Sequence, residues 1–189
     1  MNAPTPISDS PLPIPDDNRI LFFARDRELY GFMSNFHDAS ISLCGEVWRS
    51  TEYFYQAQKS LDPEYRDAIR NAKSPGHAKD IGADPRTSKK QKRSWFVGRL
   101  DKIRPDWHQV KLEVMETAVR AKFRQDQSLQ ALLAATGDAE IVEDSAYDSF
   151  WGIGPDGRGE NWLGRILMKV RQEIRKGSGA GVVESPTPE

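Results

Sequence analysis

Glu52, Gln56 and Lys59 lie in the run TEYFYQAQK, spaced by four and three residues. On a helix those steps return to nearly the same face, so a carboxylate, an amide and an amine would form one strip. Tyr53, Phe54, Tyr55 and Ala57 would pack into the body of the protein. A carboxylate and an amine facing one pocket are the means of acid–base or nucleophilic chemistry. The same spacing also fits an ordinary helix in which Glu52 complements the helix dipole and Lys59 is solvated. Spacing alone does not choose between them.

A second set of residues lies in EDSAYDSFWGIGPDGRGENWLGRILM. Asp148, Trp151 and Asn161 surround a loop carrying Gly152, Gly154, Gly157 and Gly159. Such loops let backbone N–H groups approach phosphate oxygens, and a following helix N-terminus adds partial positive charge. Gly164, inside the first turns of that helix, marks the close approach of a ligand or another helix. An ordinary surface loop remains the alternative, and the glycine spacing matches neither a dinucleotide fingerprint nor a P-loop.

The third set is RTSKKQKRSWFVGRLDKIR, residues 86 to 104, with eight basic residues against the single acid Asp101. Trp95 and Phe96 interrupt it. This is either a patch that recruits phosphate backbones and stacks bases, or a solvated loop whose aromatics anchor it to the core. Phe32, Phe36, Trp107 and Trp151 supply rings near these segments, suited to cradling a planar base. Cys44, beside Gly45 in a turn, reads as a bystander thiol.

Short elements must position these groups. Ile20 to Ala24 reads as a buried strand, and Ile41–Leu43 with Glu46–Trp48 as a hairpin. Ser50 or Thr51 caps a helix through EYFYQAQKSL; Pro63 to Ala72 forms another, and Pro75 starts a third near Ile81. Asp106 caps a longer helix, Trp107 to Arg124, with Val110, Val114, Ala118 and Ala121 at helical spacing. A helix over Ser128 to Ala135 stops at Gly137, Ile141 to Glu143 forms a strand, and Asn161 caps the last helix. The fold class is therefore α+β, a predominantly α-helical single domain with a few short strands. Residues 1–18 hold five prolines and little to bury. They read as a disordered tail, as does 177–189, which leaves a folded unit of 19–176.

Bulk properties exclude several classes. A formal charge of -1 over 189 residues means that any nucleic-acid binding must be local. One cysteine and three histidines without ligand spacing leave no metal site and fit a reducing compartment. No apolar run approaches the roughly 20 residues of a membrane span, and the N-terminus lacks the features of a secretory signal. The expected address is the cytoplasm, and the oligomeric state is not legible.

The ordered motifs GFMSNF (31–36), TEYFYQAQK (51–59), SPGHAKDIG (74–82), RPDWHQVKLEVMETAVRAKF (104–123), LLAATGD (132–138), and VEDSAYDSFWGIG with GENWLGRILMKVR (142–171) resemble the NADAR, or YbiA-like, family. The resemblance implies N-glycosidase chemistry without a cofactor: release of ADP-ribose from guanine bases, or hydrolysis of phosphoribosylamino-pyrimidine intermediates of riboflavin synthesis. It makes Glu52, Lys59 and Asp148 the expected catalytic residues. Asn35, Phe36, Gln56, Trp107, Lys122, Trp151, Gly152, Gly154, Asn161 and Gly164 are the expected ligand-binding residues. Phosphates are expected on the glycine loop, with Lys122, Arg158 or Arg165 as partners. The basic 86–104 segment favours ADP-ribosylated nucleic acid as substrate, ahead of the riboflavin-type riboside and of a non-catalytic ADP-ribose-binding module.

Overall fold

The computed structural model describes residues 12–23, 29–87 and 93–179. Ala24, the expected end of the first strand, and the stretches 1–11 and 180–189 of the two expected tails lie outside the described residues. Four short strands and six helices follow in the order β1 (Arg19–Phe22), β2 (Ile41–Leu43), β3 (Glu46–Trp48), α1 (Thr51–Ala57), α2 (Pro63–Arg70), α3 (Pro75–Ile81), α4 (Trp107–Gln125), α5 (Gln127–Ala135), β4 (Glu140–Glu143) and α6 (Trp162–Gly179). The fold is mainly helical, as the patterning implied.

The hairpin β2–β3 turns through Cys44 and Gly45, both at positive φ, the geometry a two-residue turn between twisted strands requires. Cys44 is exposed there. Strands β1 and β4 pair in parallel, Arg19 opposite Glu140 through Phe22 opposite Glu143. That pairing closes the first hydrophobic cluster, in which Ile20, Phe22 and Ile141 meet Val119 and Phe123 of α4 and Leu163, Leu167 and Val170 of α6. A second cluster joins Trp48, Tyr53, Phe54, Tyr65, Ile69 and Phe96. At the amino end, Leu12 packs on the first cluster and the Tyr30 hydroxyl donates to the Pro13 carbonyl.

Helix α1 bridges the two clusters: Tyr55 belongs to the first, Tyr53, Phe54 and Ala57 to the second. All seven of its residues are buried. It ends at Ala57, short of the expected Leu61, so Lys59 sits in the turn beyond it. Two expected caps differ in their chemistry. Ser50 precedes α1 but makes no side-chain cap, and Thr51 Oγ1 instead donates to the Asn35 backbone and side-chain oxygens at 3.1 and 3.0 Å. The Asp106 carboxylate is taken by Arg104, at 2.7 and 2.8 Å, rather than by the start of α4.

Candidate active site

Glu52 is 5% exposed, so the reading of a solvated, dipole-complementing acid does not hold. Its N–H donates to the Asn35 carbonyl at 3.2 Å, which anchors the start of α1 to the GFMSNF segment. The Gln56 amide donates to Glu52 Oε1 at 2.7 Å, the four-residue contact the spacing implied. Burial pushes the Glu52 carboxyl above its ordinary range; the charges of Lys79 and Lys59 and the Gln56 bond pull the other way. Gln56 Oε1 is buried with no hydrogen-bond partner among the described residues.

Lys59 folds back from beyond the helix so that Nζ donates to the Gly82 carbonyl at 2.7 Å. It lies 5.5 Å from the Tyr55 ring centre and 5.8 Å from that of Trp107. Burial lowers its pKa to about 8, partly offset by Glu52. The sequence's pairing of Glu52 with Lys59 is thus realised electrostatically. Tyr55 meets Trp107 at 5.0 Å and Trp151 at 5.5 Å, so both expected tryptophans form one aromatic wall around it. A cavity of about 290 Å³ opens beside Lys59, lined also by Asp84, Arg86, Arg104, Trp107 and His108.

The remaining expected residues divide. Asn35 faces the buried interior, holding Thr51 and donating to Met115 Sδ at 3.3 Å. Phe36 lies under Lys79, 6.0 Å from ring centre to Nζ. Asp148 Oδ1 accepts from Phe150 and Trp151 N–H at 3.0 and 2.9 Å, and its charge reaches Glu52. Lys122 stands apart from this group: buried beneath the same segment, it donates to the Ser34 carbonyl at 2.9 Å, and burial lowers its pKa to about 7.

The glycine loop is not arranged as a phosphate cradle. N–H groups of Gly152, Ile153, Gly157, Gly159 and Glu160 donate to carbonyls within the loop or at Glu143, while Asn161, Trp162 and Leu163 donate to Gly152, Phe150 and Trp151. These eight donors are turned inward on the loop itself and on Glu143 rather than outward toward a phosphate. Asn161, at φ 52°, uses its side chain on β4, donating to Ile141 O at 2.9 Å and accepting from Glu143 N at 3.0 Å. Gly164 marks the close approach of a strand rather than a ligand: a Cβ there would collide with the Ile141 carbonyl. Gly152 is required by the Glu143 carbonyl, 2.5 Å from where its Cβ would sit, and Gly154, at φ 69°, by Ser149.

In the 86–104 segment, Lys89, Lys90 and Lys92 lie outside the described residues. Of the described cations, Arg86 pairs with Asp84, Arg93 with Asp80, Lys102 with Asp62 and Arg104 with Asp106. Arg99 lies 4.8 Å over Trp95. Phe96 is fully buried against Tyr65 at 4.7 Å, which selects core anchoring as the role of that aromatic.

Two groups escaped the sequence reading. Lys79 of α3 acts on Glu52, Lys59 and Glu143 alike. Glu143, the last residue of β4, has its carboxyl raised to about 7 by burial and by the charge of Asp148. It stands at the carboxyl end of a strand paired in parallel with β1, a place that only the tertiary pairing creates. The three-residue strand pattern did not announce parallel pairing with β1.

The fold is thus a mainly helical α+β domain with a buried carboxylate and amide on α1 and an aromatic wall of Tyr55, Trp107 and Trp151 beside Lys59. The chain belongs to the NADAR domain family, which matches residues 21–175. It is 39% identical over 155 residues to the N-glycosidase YbiA of Escherichia coli (strain K12), covering 82% of this chain and 88% of that protein. A riboflavin biosynthesis protein of Vibrio vulnificus is 37% identical over 164 residues, 87% of this chain but 41% of its own length. The NMR structure of the E. coli protein YbiA superposes with a TM-score of 0.72 at 35% identity, covering 93% of this chain and 94% of that one. No helix among the described residues is long and apolar enough to cross a membrane.

Proposed function

We propose that this protein is an N-glycosidase that hydrolyses the C1′–N bond of a phosphorylated riboside, with Glu52, Lys59 and Asp148 at the reacting centre. The observation that carries the reading is the buried Glu52 carboxylate, held by Gln56 and set between the charges of Lys59 and Lys79. Cleaving a ribosyl C1′–N bond builds positive charge at C1′, which a desolvated carboxylate stabilises while it activates water. Lys59, lowered to about 8, is neutral in roughly a tenth of molecules at pH 7 and so is available to attack a ring-opened C1′ as an imine-forming nucleophile. Borohydride trapping of a protein–sugar adduct distinguishes that route from direct hydrolysis.

The phosphoribosylamino-pyrimidine of riboflavin synthesis is the substrate that best fits. The Vibrio vulnificus relative is named for riboflavin biosynthesis, and the pairing of most described cations in 86–104 weakens the case for a polynucleotide patch. Removal of ADP-ribose from guanine is the second reading, favoured by the cavity of about 290 Å³ beyond Lys59, beside Arg86 and Arg104, with room for more than a ribose phosphate. Incubation with each substrate, followed by mass spectrometry for ribose 5-phosphate and ADP-ribose, tests the ranking. Release of ADP-ribose alone reverses it, and release of neither leaves a non-catalytic ADP-ribose-binding module. A steep salt dependence with the nucleic-acid substrate would restore 86–104 as a phosphate-binding segment. A cytoplasmic setting fits either substrate.

A further inference from the structure

The fold goes to unusual lengths to fix the backbone of Glu143. Its N–H donates to Asn161 Oδ1 at 3.0 Å, and its carbonyl accepts from Ser145 at 2.9 Å and Ile153 at 3.0 Å. The Gly152 backbone presses against the same carbonyl, so no side chain is tolerated there. Parallel pairing with Phe22 fixes the other side. Yet the side chain so positioned has a buried oxygen, Oε2, with no hydrogen-bond partner among the described residues. A buried polar atom left unmatched at a rigidly placed residue points to a partner that arrives with the ligand.

Glu143 and Glu52 interact, and their surroundings differ. Glu52 receives a hydrogen bond from Gln56 and the attraction of Lys79 and Lys59. Glu143 Oε2 receives no donor among the described residues, and the carboxyl feels Lys79 and is repelled by Asp148 and Glu52. When two neighbouring carboxyls compete for one proton, the one with fewer donors keeps it. Burial and these repulsions hold the Glu143 proton up to about pH 7.

We propose that Glu143 is the general acid that protonates the departing nitrogen while Glu52 serves the sugar. This rests on the N-glycosidase reading. The C1′–N bond breaks with its electron pair moving to nitrogen, and that nitrogen takes the proton from Glu143 Oε2. Water forms the new C1′–O bond and gives a proton to Glu52. Transfer of that proton through solvent to Glu143 restores both groups, so the net change is addition of one water.

The test is kcat against pH for the unaltered protein, Glu143→Gln and Glu143→Asp on whichever riboside is turned over, with melting curves for each. In the unaltered protein kcat falls as pH rises through about 7, because the acid loses its proton. Glu143→Gln loses about 100-fold or more in kcat with KM within about threefold, and its remaining rate no longer falls near pH 7. Glu143→Asp keeps a carboxylic acid and retains the fall at reduced rate. A Glu143→Gln protein within about threefold of the unaltered kcat overturns the proposal, as does one whose fall near pH 7 persists. If that variant does not fold, absence of the fall in the unaltered protein overturns it equally. Failure of the unaltered protein on every riboside removes the N-glycosidase reading and this proposal together, whereas turnover with an indifferent Glu143→Gln removes the proposal alone.

Discussion

The polar floor built on α1 and the glycine loop before α6 both read from sequence as ligand sites, and they have opposite hydrogen-bond economies. In the loop, eight N–H groups from Gly152 to Leu163 find carbonyl partners, and Asn161 uses both ends of its amide on β4. In the floor, Gln56 Oε1 and Glu143 Oε2 are buried without partners among the described residues, and Glu52 and Lys59 have both been moved toward neutrality by burial. A network whose donors mostly face inward makes a scaffold, because it has little to offer a ligand. An unsaturated one is destabilising by itself and persists where a substrate completes it. In the proposed mechanism the loop braces Asp148 and the Glu143 backbone, and the floor is assigned the chemistry.

The contrast is broken most severely by Glu52→Gln. Turnover is expected to fall about 1,000-fold or more, since the charge opposite C1′ is gone. Stability should hold or rise, because Gln56 can turn its amide toward the new side chain. The sign follows from the raised folded-state pKa: charging Glu52 costs the native state more as pH climbs past the unfolded value of about 4.3, so the variant's relative stability grows above that pH. Near-native kcat in this variant would remove Glu52 from the chemistry. Gly164→Ala should do the converse. Forcing a methyl against the Ile141 carbonyl costs about 2–3 kcal/mol, a drop in melting temperature of roughly 5–10 °C, while folded molecules keep their kcat. A large loss of kcat with an unchanged melting curve would instead put a ligand at Gly164.

Lys122→Met sharpens the comparison with the smallest effect. Lys122 is a buried cation in the scaffold, holding Ser34 O next to the Asn35 that anchors Glu52. Its folded pKa, about 7, lies below the unfolded value of about 10.4, so the unfolded chain binds more protons between those pH values. The unaltered protein should then gain stability relative to Lys122→Met as pH rises from about 7 toward 10, and show no differential slope below 7. Parallel melting temperatures across that range would show that Lys122 titrates as a solvated lysine.

By itself the sequence determined the elements and the reactive strip. Cap residues, prolines and periodicity located the helices to within a few residues, because those signals act over a single turn. Glu52 and Gln56 were legible as a pair for the same reason, one helical turn apart, whereas Lys59 reaches them from the turn beyond α1. Tertiary structure decided everything that depends on a partner distant in sequence. Whether Glu52 is solvated or buried turns on Asn35 and Lys79, which no local pattern places beside it. Whether the glycines serve a phosphate or a strand turns on the Ile141 and Glu143 carbonyls. Glu143 itself was invisible because its significance arises only when β4 pairs with β1 and brings its end to α1. Burial, which sets the charge state of each of these groups, is a property of the assembled core and not of any segment.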